Sequence, residues 1–287
     1  MSSTSAFVKK LASNDKPTRD AALEALRKYL ASKTLKSGNS LSLLDMEKLW
    51  RGLYFSMWFC DRPKAQERLA ESLGQLYSEN IKSVESFLLF TKAFNLIMIK
   101  EWASIDQWRI DKYYLLIRRV LRHNFQYLKK NQWDLELVKK WTQVMMETIL
   151  SGGDKVPVAL PYHLCDIFLD ELELIMFADI EDREVDENDP EDMKQKLEEL
   201  NKEKIAIANE VPIRELIEPF TKLSKEAKLK TLREKTKEDV LDNEKLVEWG
   251  VVRNSNGNKG GNSEGSEEDE DDEDEEDEDE EDEWKGF

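Results

Sequence analysis

The sequence predicts an all-α fold, a degenerate HEAT-like or armadillo-like solenoid of paired antiparallel helices, and three observations lead there. Helix breakers are scarce: up to Gly250 the chain holds six glycines, and no proline stands between Pro63 and Pro157. Apolar residues recur at spacings of three, four and seven, as in Ile110, Tyr113, Tyr114, Ile117, Leu121 and Leu128, which keeps them on one side of a helix. No segment alternates apolar and polar residues as a half-buried strand does. A compact irregular bundle is the alternative architecture.

Helices are expected near 5–12, 18–33, 42–59, 62–78, 83–102, 106–130, 134–150, 158–178, 191–208, 212–226 and 230–247. Thr18 marks the start of the second, before AALEALRKYL, and Asp61 that of the fourth, before Pro63. Ser104 and Gln107 have the spacing of a capping box for the sixth, and Asp189 precedes Pro190 at the ninth. The third is apolar nearly all round from Leu53 to Cys60 except at Ser56. Its Trp50, Tyr54 and Trp58, four apart, therefore read as core packing rather than as a peptide groove. The fifth repeats the one-sided rule with Phe87, Phe90, Phe94, Ile97, Met98 and Trp102.

Charge divides the chain sharply. Of 61 acids and 43 bases, eighteen acids and only two bases, Lys259 and Lys285, lie beyond residue 253, so residues 1–253 are close to neutral. In DIEDREVDENDPED, from Asp179 to Asp192, nine acids face one arginine. The expected organisation is a helical-repeat domain over 1–178, an acidic connector over 179–193, a C-terminal helical segment over 194–250 and a disordered acidic tail over 251–287.

Several classes fall away. No apolar run approaches the roughly 20 residues of a membrane span, and MSSTSAFVKKLASNDK lacks the apolar centre of a signal peptide. A protein made in the cytosol and kept on that side of membranes is expected. Cys60 and Cys165, each among apolar neighbours, read as reduced buried thiols. With His123 and His163 as the only histidines, no His-rich or Cys/His metal site can be assembled, and no cofactor is expected. There is no GxxxxGK[ST], GxGxxG, GxSxG or HExxH motif, so the chain reads as a non-enzyme.

Three segments carry a resemblance to a known family: LWRGLYFSMWFCDRPKAQERLAESLGQL from Leu49 to Leu76, FLLFTKAFNLIMIKEWASIDQWRIDKYYLLIRRVL from Phe87 to Leu121, and HLCDIFLDELE from His163 to Glu173. With TRDAALEALRKYL at Thr18 to Leu30, they are similar to the ribosomal RNA processing protein 1 family over most of residues 1–178. The long acidic end looks more like a fungal member than an animal one. The resemblance implies a non-enzymatic nucleolar or nuclear factor bound to early precursors of the large ribosomal subunit and needed for ribosomal RNA processing. Its implied partners are proteins of the pre-ribosomal particle, meaning other assembly factors and ribosomal proteins, with ribosomal RNA backbone as a further class. It transfers no catalytic residue.

Two basic clusters are candidate contacts. With Ile110 at zero, Arg122, Arg119, Lys112, Lys130 and His123 fall at about 120°, 180°, 200°, 200° and 220°, opposite the apolar stripe. This face is either solvated or binds RNA phosphate or an acidic partner. Because Arg119 and Arg122 project away from the stripe, reversing both to Glu is expected to leave the fold intact. The weaker cluster, Lys222, Lys225, Lys228, Lys230 and Arg233 with Lys235 and Lys237, is interrupted by Glu226, Glu234 and Glu238, and also fits an exposed helix laced with i,i+4 pairs. The acidic run is a solubilising brush or a holder of basic segments. The latter makes a chaperone for histones or other basic proteins the alternative function.

Overall fold

The one-sided apolar spacing becomes helix at nearly every expected place. The computed structural model describes residues 3–35, 41–180 and 190–252, and among these every regular element is helical. The first part contains α1 (Ser3–Leu11), α2 (Lys16–Lys33), α3 (Leu43–Trp58), α4 (Pro63–Gln75), α5 (Val84–Glu101), α6 (Ile110–Lys130), α7 (Leu135–Glu147) and α8 (Ala159–Met176). The second contains α9 (Pro190–Glu210), α10 (Ile213–Leu216), α11 (Glu218–Glu226), α12 (Lys230–Thr236) and α13 (Glu244–Glu248). Helices α4 and α12 run on into π-helical turns, Leu76–Asn80 and Lys237–Leu241. Residues 181–189 of the expected connector, with Asp189, and residues 253–287 of the expected tail lie outside the described residues.

The helices stack in series. In one layer α1 packs on α3, α3 on α5 and α5 on α7; in the other α4 packs on α6 and α6 on α8. Helices α10 and α11 continue the first layer against α7, and α12 continues the second against α8. Helices α3 to α8 thus each pack on a helix two places away, which is how an array of paired helices builds a continuous core. No helix among the described residues is long and apolar enough to cross a membrane.

The polar break in α3 is where α1 crosses it. A Cβ on Gly52 would stand 3.1 Å from Val8 Cα, and one turn later the buried Ser56 hydroxyl donates to Leu11 O at 2.7 Å. Small residues at i and i+4 therefore admit the α1 backbone, and Ser56 satisfies its last carbonyl. Around this point Trp50 and Tyr54 are buried as expected, Trp50 against Phe90 and Phe94 and Tyr54 stacked on Tyr113 at 4.7 Å.

A polar thread crosses the middle of the core. Asn124 Oδ1 accepts from Thr91 Oγ1 at 2.9 Å and Trp141 Nε1 at 2.8 Å, while Asn95 Nδ2 donates to Thr148 Oγ1 at 2.8 Å. Groups satisfied in this way avoid the penalty of about 1–3 kcal/mol that each would carry if buried alone.

Three expected helix starts are relocated. The Asp15 carboxylate accepts from Thr18 N–H at 3.0 Å, so α2 opens at Lys16 and Thr18 lies in its first turn. A carboxylate both accepts the free N–H groups and favours the positive helix end. At α4 the N-cap position is Arg62 rather than Asp61, and no side chain caps it. The Ser104–Gln107 box does not form: Trp102–Ser104 is a 3₁₀ turn, Asp106 accepts from Trp108 N–H at 3.0 Å, and α6 opens at Ile110.

Both thiols are free. Cys165 is buried beside Thr236, and desolvation raises its thiol to about 11; the half-buried Cys60 is raised for the same reason.

Candidate functional site

The α6 face that the sequence sets opposite the apolar stripe is largely covered. In the second layer α6 lies between α4 and α8, and of its side chains only Asp111 and Lys130 are exposed. Lys112, expected on the surface, is buried with its side chain 3 % exposed. Its Nζ donates to Trp58 O at 2.8 Å and Cys60 O at 3.0 Å, carbonyls at the C-terminal end of α3, where a cation suits the helix dipole. Desolvation pulls its pKa below the usual lysine value, against the opposing pull of Asp61 at 3.8 Å.

The arginines are spent on neighbouring helices. Arg119 pairs with Glu67 and Glu71 of α4. Arg122 meets Glu171 of α8 through Nε at 2.6 Å and Nη2 at 3.1 Å, and Arg118 Nε pairs with the same carboxylate. Glu171 is 1 % exposed, so its charge depends on the two guanidiniums. The expectation that reversing Arg119 and Arg122 leaves the fold intact is therefore corrected: Arg122→Glu sets a like charge against the buried Glu171 and leaves Arg118 as its one cation, a loss of several kcal/mol. One sign was present in the sequence. In HLCDIFLDELELI, Leu164, Phe168, Glu171 and Ile175 share one helical stripe, so an acid stands where an apolar residue belongs and calls for a buried cation.

His123 is 2 % exposed and fills the gap between α6 and the end of α4. Its Nε2 donates to Glu71 Oε1 at 3.0 Å, and Nδ1 accepts from Ser78 Oγ at 2.8 Å. Burial lowers its pKa below the ordinary 6.5 despite the opposing effect of Glu71. His163 is likewise lowered by burial, with Nε2 donating to Tyr114 O at 3.1 Å. Lys130 stays exposed, its Nζ 3.5 Å from Ser78 O.

The C-terminal cluster is more open. Lys222 pairs loosely with Glu226 at 3.8 Å, Lys228 with Asp154, and Lys235 with Asp166 at 2.6 Å and with Asp239. Arg233 is turned inward, donating to Ala227 O at 2.6 Å and Lys228 O at 3.0 Å. Lys225, Lys230 and Lys237 are exposed without a partner among the described residues. Charge available to an acidic ligand therefore lies here and on α4, at Arg62, Lys64 and Arg68, more than on α6.

Two of the sequence segments that carry the family resemblance meet at one corner. Besides the Lys112 bonds, Tyr113 Oη donates to Tyr54 O at 3.0 Å and the Arg109 guanidinium lies 4.4 Å from the centre of the Trp58 ring. Trp108 projects from this corner, 85 % exposed, which the helical pattern of its neighbours did not foretell.

The family model described as nucleolar protein Nop52 matches residues 2–287 of the chain. Ribosomal RNA processing protein 1 homolog B of Mus musculus is 38 % identical over 174 residues, 61 % of this chain and 24 % of that protein. Homolog A of Homo sapiens is 34 % identical over 166 residues, 58 % of this chain and 36 % of that protein. The Drosophila melanogaster homolog is 33 % identical over 168 residues, 58 % and 24 %. The aligned stretch thus spans about a quarter to a third of these relatives' length. Matched to the family model along nearly its whole length, the chain belongs to the nucleolar protein Nop52 family, whose description places it in the nucleolus.

Proposed function

We propose that this protein is a non-enzymatic scaffold of ribosome assembly, bound to early precursors of the large subunit and required for ribosomal RNA processing. The observation that carries this reading is the match to a nucleolar family across residues 2–287, joined by relatives named for ribosomal RNA processing. The disposition of ionisable groups supports it. Lys112, His123, His163 and Glu171 each hold one helix against another, as a framework requires. The outer sides of the two layers offer contact surfaces for particle proteins, and the exposed lysines of α11 and α12 offer charge for ribosomal RNA backbone.

The experiment is depletion with gradient analysis. The tagged protein should co-sediment with large-subunit precursors, and its depletion should lower mature large-subunit RNA. Sedimentation only as free protein, in extracts whose precursors are intact, would overturn the reading. The eighteen acids beyond residue 253 favour a second reading, a chaperone for histones or other basic proteins.

A further inference from the structure

The regular stacking of the second layer is interrupted between its first two helices. Helices α4, α6 and α8 pack directly on one another, whereas α2 makes its main approach to this layer at the π-helical turn Leu76–Asn80. A groove of about 280 Å³ is left between α2 and α4, closed at its base by α3. On α2 its lining residues step by three and four from Lys16 to Arg27, and on α4 from Ala65 to Ser72. Two helical faces about two to three turns long, set side by side, make the shape that receives a third helix.

The groove is amphipathic. Leu23 of α2 and the half-buried Ala65 and Leu69 of α4 form its floor. Of the cations around it, Lys16 is paired with Asp20, and Arg19 is held by Ser13 O at 2.8 Å and Asn14 O at 3.0 Å. Arg27 is engaged as well, its Nε paired with Glu24 Oε1 at 3.5 Å and its Nη2 donating to Gln75 Oε1 at 3.3 Å. Arg68 is exposed and has no partner among the described residues.

We propose that this groove is a docking slot for an acidic amphipathic helix of another protein in the particle, its apolar side on Leu23 and Leu69 and its acidic edge on Arg68. The inference rests on the scaffold reading. Charge complementarity favours a peptide over RNA. A nucleic-acid backbone needs an open track of cations and makes no use of an apolar floor, whereas here Lys16, Arg19 and Arg27 are engaged and Leu23 and Leu69 lie between them and Arg68. An amphipathic helix sets an acidic edge at Arg68 and fills the apolar floor beside it.

The test puts a photo-cross-linking amino acid at Ser72 in the full chain and sequences the peptide joined to it in isolated large-subunit precursors. The expected product is one acidic amphipathic segment. Arg68→Glu should lower its yield about tenfold, as loss of a charge pair in a desolvated contact does. That same segment, made as a free peptide, should bind the full chain and lose about tenfold in affinity to Arg68→Glu. Arg68 is exposed, so an unchanged melting temperature confirms that the variant is folded. Cross-links to RNA or to a basic segment overturn the slot, as does an unchanged yield in the variant or no product from particles that hold the wild-type chain. Absence of the wild-type chain from the precursors, read in the gradient before cross-linking, overturns the scaffold reading instead.

Discussion

Lys112 Nζ donates to the carbonyl oxygen of Trp58 at 2.8 Å, and this bond ties the beginning of α6 to the end of α3. The same ammonium serves Cys60 O, so a residue that charge patterning sets on the surface is a cap inside the fold. Replacing Lys112 by Met keeps the stem and leaves Trp58 O unpaired, while Cys60 O keeps the Gln66 Nε2 donor at 2.9 Å. The expected loss is about 1–3 kcal/mol in urea unfolding. An unchanged midpoint would mean that Trp58 O finds another donor.

Gly74 and His123 are a second pairing. A Cβ on Gly74 would fall on His123 Cδ2 and 3.0 Å from Arg119 O, so both a side chain and the α6 backbone stand in its way. Gly74→Ala should destabilise by about 1–3 kcal/mol through overpacking. Combined with His123→Ala it should cost less than the two changes summed, because the smaller side chain vacates the clash. Additive losses in the double-mutant cycle would contradict this contact.

How far the sequence could be read depends on the neighbour involved. The one-sided spacing from Ile110 to Leu128 located α6, and the all-round apolar character of Leu53–Cys60 identified a covered helix, because both signals are local to one element. Lys112, Arg119, Arg122 and His123 also share a helical face as expected, yet that face meets Glu67 and Glu71 on one side and Glu171 on the other. Flanking by the helices two places before and after is a tertiary property that one helix cannot signal. The start of α6 was missed for a related reason: the corner at 102–109 is set by Asp106 turning the chain, while Ser104 and Gln107 match a cap only in spacing.

Arg118 and Arg122 converge on Glu171. Changing both to Ala should lower stability by about 3–5 kcal/mol, since it leaves a buried carboxylate unpaired. Changing Arg118, Arg122 and Glu171 together to Met, Leu and Leu should recover most of that loss. Chemical unfolding monitored by circular dichroism distinguishes the cases, and equal losses for the double and triple variants would contradict the ion cluster.

Burial lowers the pKa of both His123 and His163 below 6.5. The unfolded chain then binds protons first as the pH falls, so stability from these groups is complete above about pH 7 and declines through pH 6 and below. His163→Gln should flatten that decline. The midpoint of urea unfolding against pH checks it, and a wild-type stability that rises on acidification from pH 7 to 6 would be the wrong sign.

Residues 1–253 form one compact unit, so they can be separated from the acidic run. Sedimentation of this fragment against large-subunit precursors, in cells lacking the full chain, tests the scaffold most directly. The scaffold account predicts that the fragment stays with the precursors and supports ribosomal RNA processing, with basic-protein binding reduced at most. A folded fragment that leaves the precursors and loses its basic-protein ligands together would contradict it and assign the work to the acidic run.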